Sequence, residues 1–166
     1  MKKILVSACL GGIPVRYDGR AKSTDDAIIA QWRAEGRLIH VCPEVSAGFP
    51  VPRPPAEVAG GDGHGVLHGL ARVVENNGRD VTSGYLAGAQ HALALARDVD
   101  LAFALLADGS PSCGSRFIYS GDFNGRRKDG MGVTAALLES HGIKVFSHDR
   151  IAEADAYLRT LEPLSR

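Results

Sequence analysis

Three cysteines, Cys9, Cys42 and Cys113, are the residues of this sequence best suited to hold a soft ligand or metal. Gaps of 33 and 71 residues separate them. That spacing matches neither the disulfide framework of a small secreted domain nor a paired Cys-x-x-Cys knuckle, and the odd number argues for a reducing compartment. Each lies among glycine, proline and serine rather than in an apolar run: Cys9-Leu10-Gly11-Gly12, Val41-Cys42-Pro43-Glu44 and Ser110-Pro111-Ser112-Cys113-Gly114. A cysteine inside an apolar run is usually an inert small hydrophobe. Loops of this kind instead bring bare backbone N–H groups close to a ligand, which stabilises thiolates and anionic cofactors. A structural zinc site normally closes with four ligands, so the fourth here would be His40 or a carboxylate. His40 falls in a predicted buried strand, where a histidine is expected to be a satisfied core residue. An iron-sulfur cluster on three cysteines would leave one iron open, a Lewis acid with affinity for soft sulfur.

The elements that must bring such distant residues together alternate between strand and helix. The apolar, β-branched runs 3–8 and 38–41 read as buried strands. Between them a helix is expected, capped by Ser23 or Thr24, with Asp25 and Asp26 in its first turn, Ile28, Ile29 and Trp32 on one face and Gly36 ending it. Strand, helix, strand over about 40 residues implies parallel pairing. The alternation resumes with a helix from Asp80 or Thr82 to Arg97, whose stripe is Val81, Tyr85, Ala89, Ala92, Leu93 and Ala96. A strand over 99–106, a helix over 133–140, a strand over 143–146 and a last helix capped by Asp149 complete the pattern. Residues 43–63, with five prolines and many glycines, predict an extended functional loop, followed by a short hairpin from 65–67 and 71–74. The expected fold is a single α/β domain over 1–166, a Rossmann-like open parallel sheet flanked by helices. All three cysteines then come at or soon after the carboxyl end of a strand, the edge where open parallel sheets bind ligands.

Composition narrows the partners. Nineteen basic residues balance 19 acidic ones, with no basic stripe interleaved with aromatics, so a small molecule is expected rather than a nucleic-acid polymer. No stretch approaches the roughly 18 apolar residues of a membrane span, and the run after Met1-Lys2-Lys3 is too short for the apolar core of a signal peptide, so a soluble cytoplasmic protein is expected. No feature specifies an oligomeric state.

Six motifs in order, Ser7-Ala8-Cys9, Arg16-Tyr17-Asp18-Gly19, Cys42-Pro43-Glu44, Pro52-Arg53-Pro54-Pro55-Ala56-Glu57, Gly78-Arg79-Asp80-Val81-Thr82 and Ser110-Pro111-Ser112-Cys113-Gly114, resemble the thiouracil desulfidase family from Lys3 to about Phe146. The resemblance implies a [4Fe-4S] cluster on Cys9, Cys42 and Cys113, and non-redox removal of sulfur from 2-thiouracil or 4-thiouracil to leave uracil. On that footing Glu44, two residues after a cluster ligand, is the candidate general base for an attacking water. Ser110 and Ser112 are candidates to hold a nucleobase carbonyl or the water, against the alternative that serine beside proline simply makes a turn. Arg16, Tyr17 and Asp18 either frame the pocket mouth or staple a loop. Arg53 and Glu57 are expected to form a buried structural pair, and His64 and His68 to face solvent. The alternatives are a three-cysteine zinc hydrolase, a thiol-disulfide reductase, and a non-catalytic iron-sulfur sensor or sulfur carrier.

Overall fold

Apolar runs become strands and amphipathic stretches become helices in the computed structural model, which describes residues 1–21 and 25–163. The first half contains β1 (Lys3–Ser7), α1 (Ala27–Ala34), β2 (Leu38–Val41), α2 (Pro43–Ser46), β3 (Ala56–Ala59), α3 (Gly63–Leu67) and β4 (Arg72–Glu75). The second half contains α4 (Thr82–Arg97), β5 (Leu101–Leu106), β6 (Phe117–Tyr119), β7 (Arg127–Asp129), α5 (Val133–Ser140), β8 (Val145–Ser147) and α6 (Ile151–Leu161). Four strands form a parallel sheet in the order β2-β1-β5-β8.

Alternation along the central strands divides the core into two layers. Ile4 and Val6 of β1, with Phe103 and Leu105 of β5, pack under α1 and α6 against Ile29, Trp32 and Leu158. Leu5, Ala104 and Leu106 point to the other face, against Tyr85 and Leu93 of α4 and Leu137 of α5. Helices on both faces of a parallel sheet are the expected α/β arrangement. β1 has its two neighbours on opposite sides, β2 and β5, so the chain reverses its winding there and opens a crevice at the carboxyl ends of the strands.

The local differences have local causes. Ser23 and Thr24 lie outside the described residues; Asp26 caps α1, its carboxylate accepting from the Ile28 N–H. The segment 43–63 is not one extended loop, because Pro43 starts α2 and residues 56–59 form β3. The hairpin expected from 65–67 and 71–74 does not form. Asp62 caps Gly65 and turns 63–67 into α3, while Arg72–Glu75 pairs antiparallel with β3. Strand β5 starts two residues later than expected, β8 sits at 145–147, and Ser147 rather than Asp149 caps the turn before α6. A second antiparallel ribbon, β6 with β7, had no counterpart in the sequence reading. His40 is exposed on the edge strand β2, not in the core.

Candidate functional site

The crevice at the carboxyl edge of the sheet encloses about 500 Å³ and is lined by Cys9, Cys42 and Cys113 together with Glu44. Each cysteine arrives there by topology. Cys9 lies in the single helical turn that follows β1, Cys42 precedes Pro43 at the start of α2, and Cys113 lies in the loop after β5. α4 crosses close over Pro43: a Cβ on Gly88 would stand 2.2 Å from the Pro43 carbonyl oxygen, so glycine there lets the start of α2 approach.

None of the three cysteines forms a disulfide. Cys113 is buried, and burial pushes its thiol well up; the Ser7 hydroxyl opposes this, while Glu44, Cys9 and Cys42 add to it. Burial likewise pushes the Cys42 thiol up, with the Glu44 charge adding to that effect. The Cys113 thiol therefore feels Cys9, Cys42 and Glu44 across one space, and burial disfavours the thiolates of Cys42 and Cys113 unless positive charge is brought to them. A bound metal supplies that charge, because coordination deprotonates a thiol outright. Among the described residues no group of three or more His, Cys, Asp or Glu side chains converges closely enough to hold a single metal ion. Tetrahedral zinc with Zn–S bonds of about 2.3 Å requires such convergence. A cluster needs something else, since each cysteine binds a different iron and the ligands stand around a volume rather than a point. Three cysteines brought from separate loops to one cavity are a donor set that a cluster of several irons can take.

Glu44 is held from two directions. Its Oε1 accepts from the Tyr85 hydroxyl at 2.8 Å, and its Oε2 accepts from Arg53 Nη2 at 3.1 Å. Burial and the Glu44 carboxylate push the Tyr85 phenol far up, so Tyr85 stays protonated and remains a donor. Arg53 is itself buried and also donates to the carbonyls of Pro50 and Val15. The expected Arg53–Glu57 pair is therefore corrected: Arg53 pairs with Glu44, and Glu57 accepts from the backbone N–H groups of Gly121 and Phe123.

The two serines separate. Ser110 lines the cavity, and its Oγ accepts from the N–H groups of Ser112 and Cys113, both at 3.1 Å, which shapes the turn carrying the third cysteine. Ser112 does not line the cavity; its hydroxyl is buried without a hydrogen-bond partner, and its carbonyl accepts from the Thr134 N–H at the start of α5. Arg16 and Tyr17 reach the cavity, whereas Asp18 accepts from the backbone N–H of Arg20 in its own turn. His64 and His68 are exposed as expected. His40 lies against the Cys9 loop, where a Cβ on Gly11 would stand 2.4 Å from its Nε2.

Several site residues escaped the sequence reading. Ser7 accepts from the Ala107 N–H and hydrogen-bonds Cys113, and Tyr85, expected only in a core stripe, donates to Glu44. Phe117, Phe123 and Arg127 reach the cavity from the β6–β7 ribbon, with the Arg127 guanidinium 4.1 Å from the Phe117 ring centroid. Among the described residues no helix is long and apolar enough to cross a membrane.

Comparison with known proteins gives a consistent answer. The family model described as 2-thiouracil desulfurase matches residues 4–150. The Bacillus subtilis (strain 168) protein YbbK, itself uncharacterized, is 45% identical over 148 residues, spanning 89% of this chain and 97% of its own length. A solved structure of the [4Fe-4S]-dependent thiouracil desulfidase TudS superposes with a TM-score of 0.88 at 46% identity, covering 96% of this chain and 99% of that one.

Proposed function

This chain belongs to the 2-thiouracil desulfurase family, and from that premise we propose that it hydrolyses the C–S bond of a thiolated pyrimidine such as 2-thiouracil or 4-thiouracil, giving uracil and sulfide, with a [4Fe-4S] cluster on Cys9, Cys42 and Cys113. The observation that carries the reading is the convergence of the three cysteines and Glu44 on one cavity. Its volume lies in the roughly 300–1,000 Å³ range of small-molecule sites. A free base, not a nucleic-acid polymer, is the proposed substrate, and residues 1–166 act as one domain. Three thiols without a disulfide suit the reducing cytoplasm.

When bound, a cluster with one iron lacking a protein ligand supplies Lewis acidity toward the thiocarbonyl sulfur and a resting place for the sulfide that leaves. The chain's own residues do the rest. Glu44 accepts the proton of a water that attacks the thiocarbonyl carbon, while Tyr85 and Arg53 fix the direction of its carboxylate. Ser110 presents its hydroxyl at the cavity wall to the substrate carbonyl or to the water. Ser112 contributes through the turn instead, since its side chain lies behind the wall. The balance is that of a hydrolysis: one water enters, a C–O bond replaces a C–S bond, and no external electrons are consumed.

The test is anaerobic reconstitution with iron and sulfide, followed by measurement of sulfide release from a panel of thiopyrimidines without an electron donor. The expected result is a brown protein that turns over many times. A colourless zinc-loaded active form, a requirement for reductant, or a single stoichiometric release would overturn the proposal. Glu44→Gln is expected to retain the cluster absorbance and lose nearly all turnover; full activity in that variant removes Glu44 from the mechanism.

A further inference from the structure

We propose that Phe123 is the residue that closes the cavity over the flat face of the substrate, and that Glu57 is the positioning residue that holds it there. The inference deepens the desulfidase reading and rests on it.

Three observations carry it. Phe123 contributes to the cavity wall from the tip of the β6–β7 ribbon. Among the described residues it is the one non-glycine with φ in the left-handed region, at 55°. Such a backbone costs free energy for a bulky side chain and persists where surrounding contacts impose it. The contact that imposes it is Glu57, whose Oε1 accepts from the Gly121 N–H at 2.9 Å and from the Phe123 N–H at 3.2 Å.

The ribbon is also pressed against the strand that carries Glu57. Lys128 Nζ donates to the Val58 carbonyl at 3.0 Å, and a Cβ on Gly121 would stand 2.7 Å from that same oxygen. The ribbon is thus fixed against β3; within its tip Ser120 and Asn124 close the loop, and Glu57 is the side chain from outside the ribbon that holds the Phe123 N–H. Phe123 nonetheless keeps 36% of its surface exposed, so it is not folded into a core. A large apolar ring kept partly in water, in a costly backbone conformation, beside a cavity proposed to take a planar heterocycle, has a function when that heterocycle stacks on it. The Pro52-Arg53-Pro54-Pro55-Ala56-Glu57 motif then serves the site at both ends: Arg53 orients the Glu44 carboxylate, and Glu57 orients the ring.

The experiment uses the reconstituted protein and four variants: Phe123→Gly, which removes the ring yet tolerates the backbone, Glu57→Ala, Glu57→Gln, and the Phe123→Gly/Glu57→Ala double variant. Phe123→Gly is expected to raise KM for thiouracil about tenfold, the scale of a lost base–aromatic stack, with kcat within about twofold. Calorimetric Kd for uracil should weaken by the same factor, with cluster absorbance and Tm unchanged. Glu57→Ala should reproduce that rise, Glu57→Gln should restore most of it because the amide oxygen still accepts, and Glu57→Ala should add nothing once Phe123 is glycine.

An unchanged KM and Kd in Phe123→Gly overturns the proposal, and multiplicative losses in the double variant overturn the link between the two residues. A Glu57→Ala chain that loses its melting transition assigns Glu57 a purely structural role and overturns that half; Phe123→Gly, altered at the surface, still decides the other. Wild-type protein that releases no sulfide refutes the desulfidase reading itself. Normal wild-type turnover with an unaltered Phe123→Gly refutes this inference alone.

Discussion

Glu44 sits where its partners determine what it can do. Its side chain is 12% exposed and that of Arg53 only 3%, so their ion pair is held largely away from water. Removing one partner of such a pair leaves an uncompensated charge, at a cost of about 3–5 kcal/mol. Arg53→Met is therefore expected to lower the thermal transition sharply. Tyr85→Phe is the gentler probe, because it keeps the ring that packs 5.4 Å from Phe49 and deletes only the donor to Glu44 Oε1. A hydrogen bond to a charged group contributes about 1.5–3 kcal/mol, so Tm should fall by some degrees while kcat falls roughly tenfold or more with KM and iron content nearly unchanged. Steady-state kinetics beside an iron assay reads that split; an equal loss of iron would mean that Tyr85 supports the fold of the site and not the carboxylate. Proximity to Cys42 made Glu44 visible in the sequence, but its partners were not. Arg53 and Glu57 are four apart, a spacing that brings side chains together on a helix. Pro52, Pro54 and Pro55 forbid that helix, so Arg53 reaches back nine residues while Glu57 crosses to another ribbon.

The loop between β5 and β6 has to hold Cys113 without regular secondary structure, and Asp108 anchors it. The Asp108 Oδ1 accepts from the N–H groups of Ser115 and Arg116, and its other oxygen accepts from the Ser147 hydroxyl. Gly109, with φ of +82° and the Phe117 ring 3.2 Å from where a Cβ would stand, lets the chain turn at once toward Ser110. Burial acts to raise the Asp108 carboxyl, but the bonds from Ser147, Arg116 and Ser115, together with the His148 charge, outweigh it and hold the carboxyl below its ordinary value. A folded value below the unfolded one stabilises the protein above the unfolded pKa of about 3.9, and that stabilisation is lost as pH falls through the folded value. In denaturant titrations Asp108→Asn should be less stable than wild type at pH 7, and the gap should close below about pH 4. A gap independent of pH would assign Asp108 a role unrelated to its charge. This anchoring was illegible in the sequence because its partners lie up to 40 residues away. The β6–β7 ribbon was missed for a different reason: three-residue strands show too little alternation to register. No hairpin forms at 65–74 because Asp62 is an N-cap residue whose carboxylate starts a helix there.

At the scale of the whole molecule, the two faces of the sheet share the site unequally: Cys113 and Tyr85 belong to the layer under α4, whereas Cys9 packs against the other. The parallel order and the three cysteines at strand ends were readable because long apolar runs and a 3.6-residue stripe survive any local ambiguity. The division of labour between the faces required coordinates. Phe103 lies on the face away from Tyr85, edge-on to Trp32 at 5.7 Å and to Phe146 at 5.2 Å. Phe103→Ala opens a cavity there and should cost about 3–5 kcal/mol of stability. Because Phe103 does not line the cavity and lies in the layer that α1 and α6 cover, the surviving folded protein should keep its iron content, kcat and KM. Gly88→Ala makes the opposite test with a single methyl group. Its Cβ would stand 2.2 Å from the Pro43 carbonyl oxygen and 3.1 Å from the Pro43 Cβ, so α2 must move, and with it Cys42 and Glu44. Iron content and kcat should both fall, and the loss should exceed what the change in Tm accounts for. If Phe103→Ala impaired kcat in its folded fraction as much as Gly88→Ala did, the site would depend on the entire sheet and the two layers would not act separately.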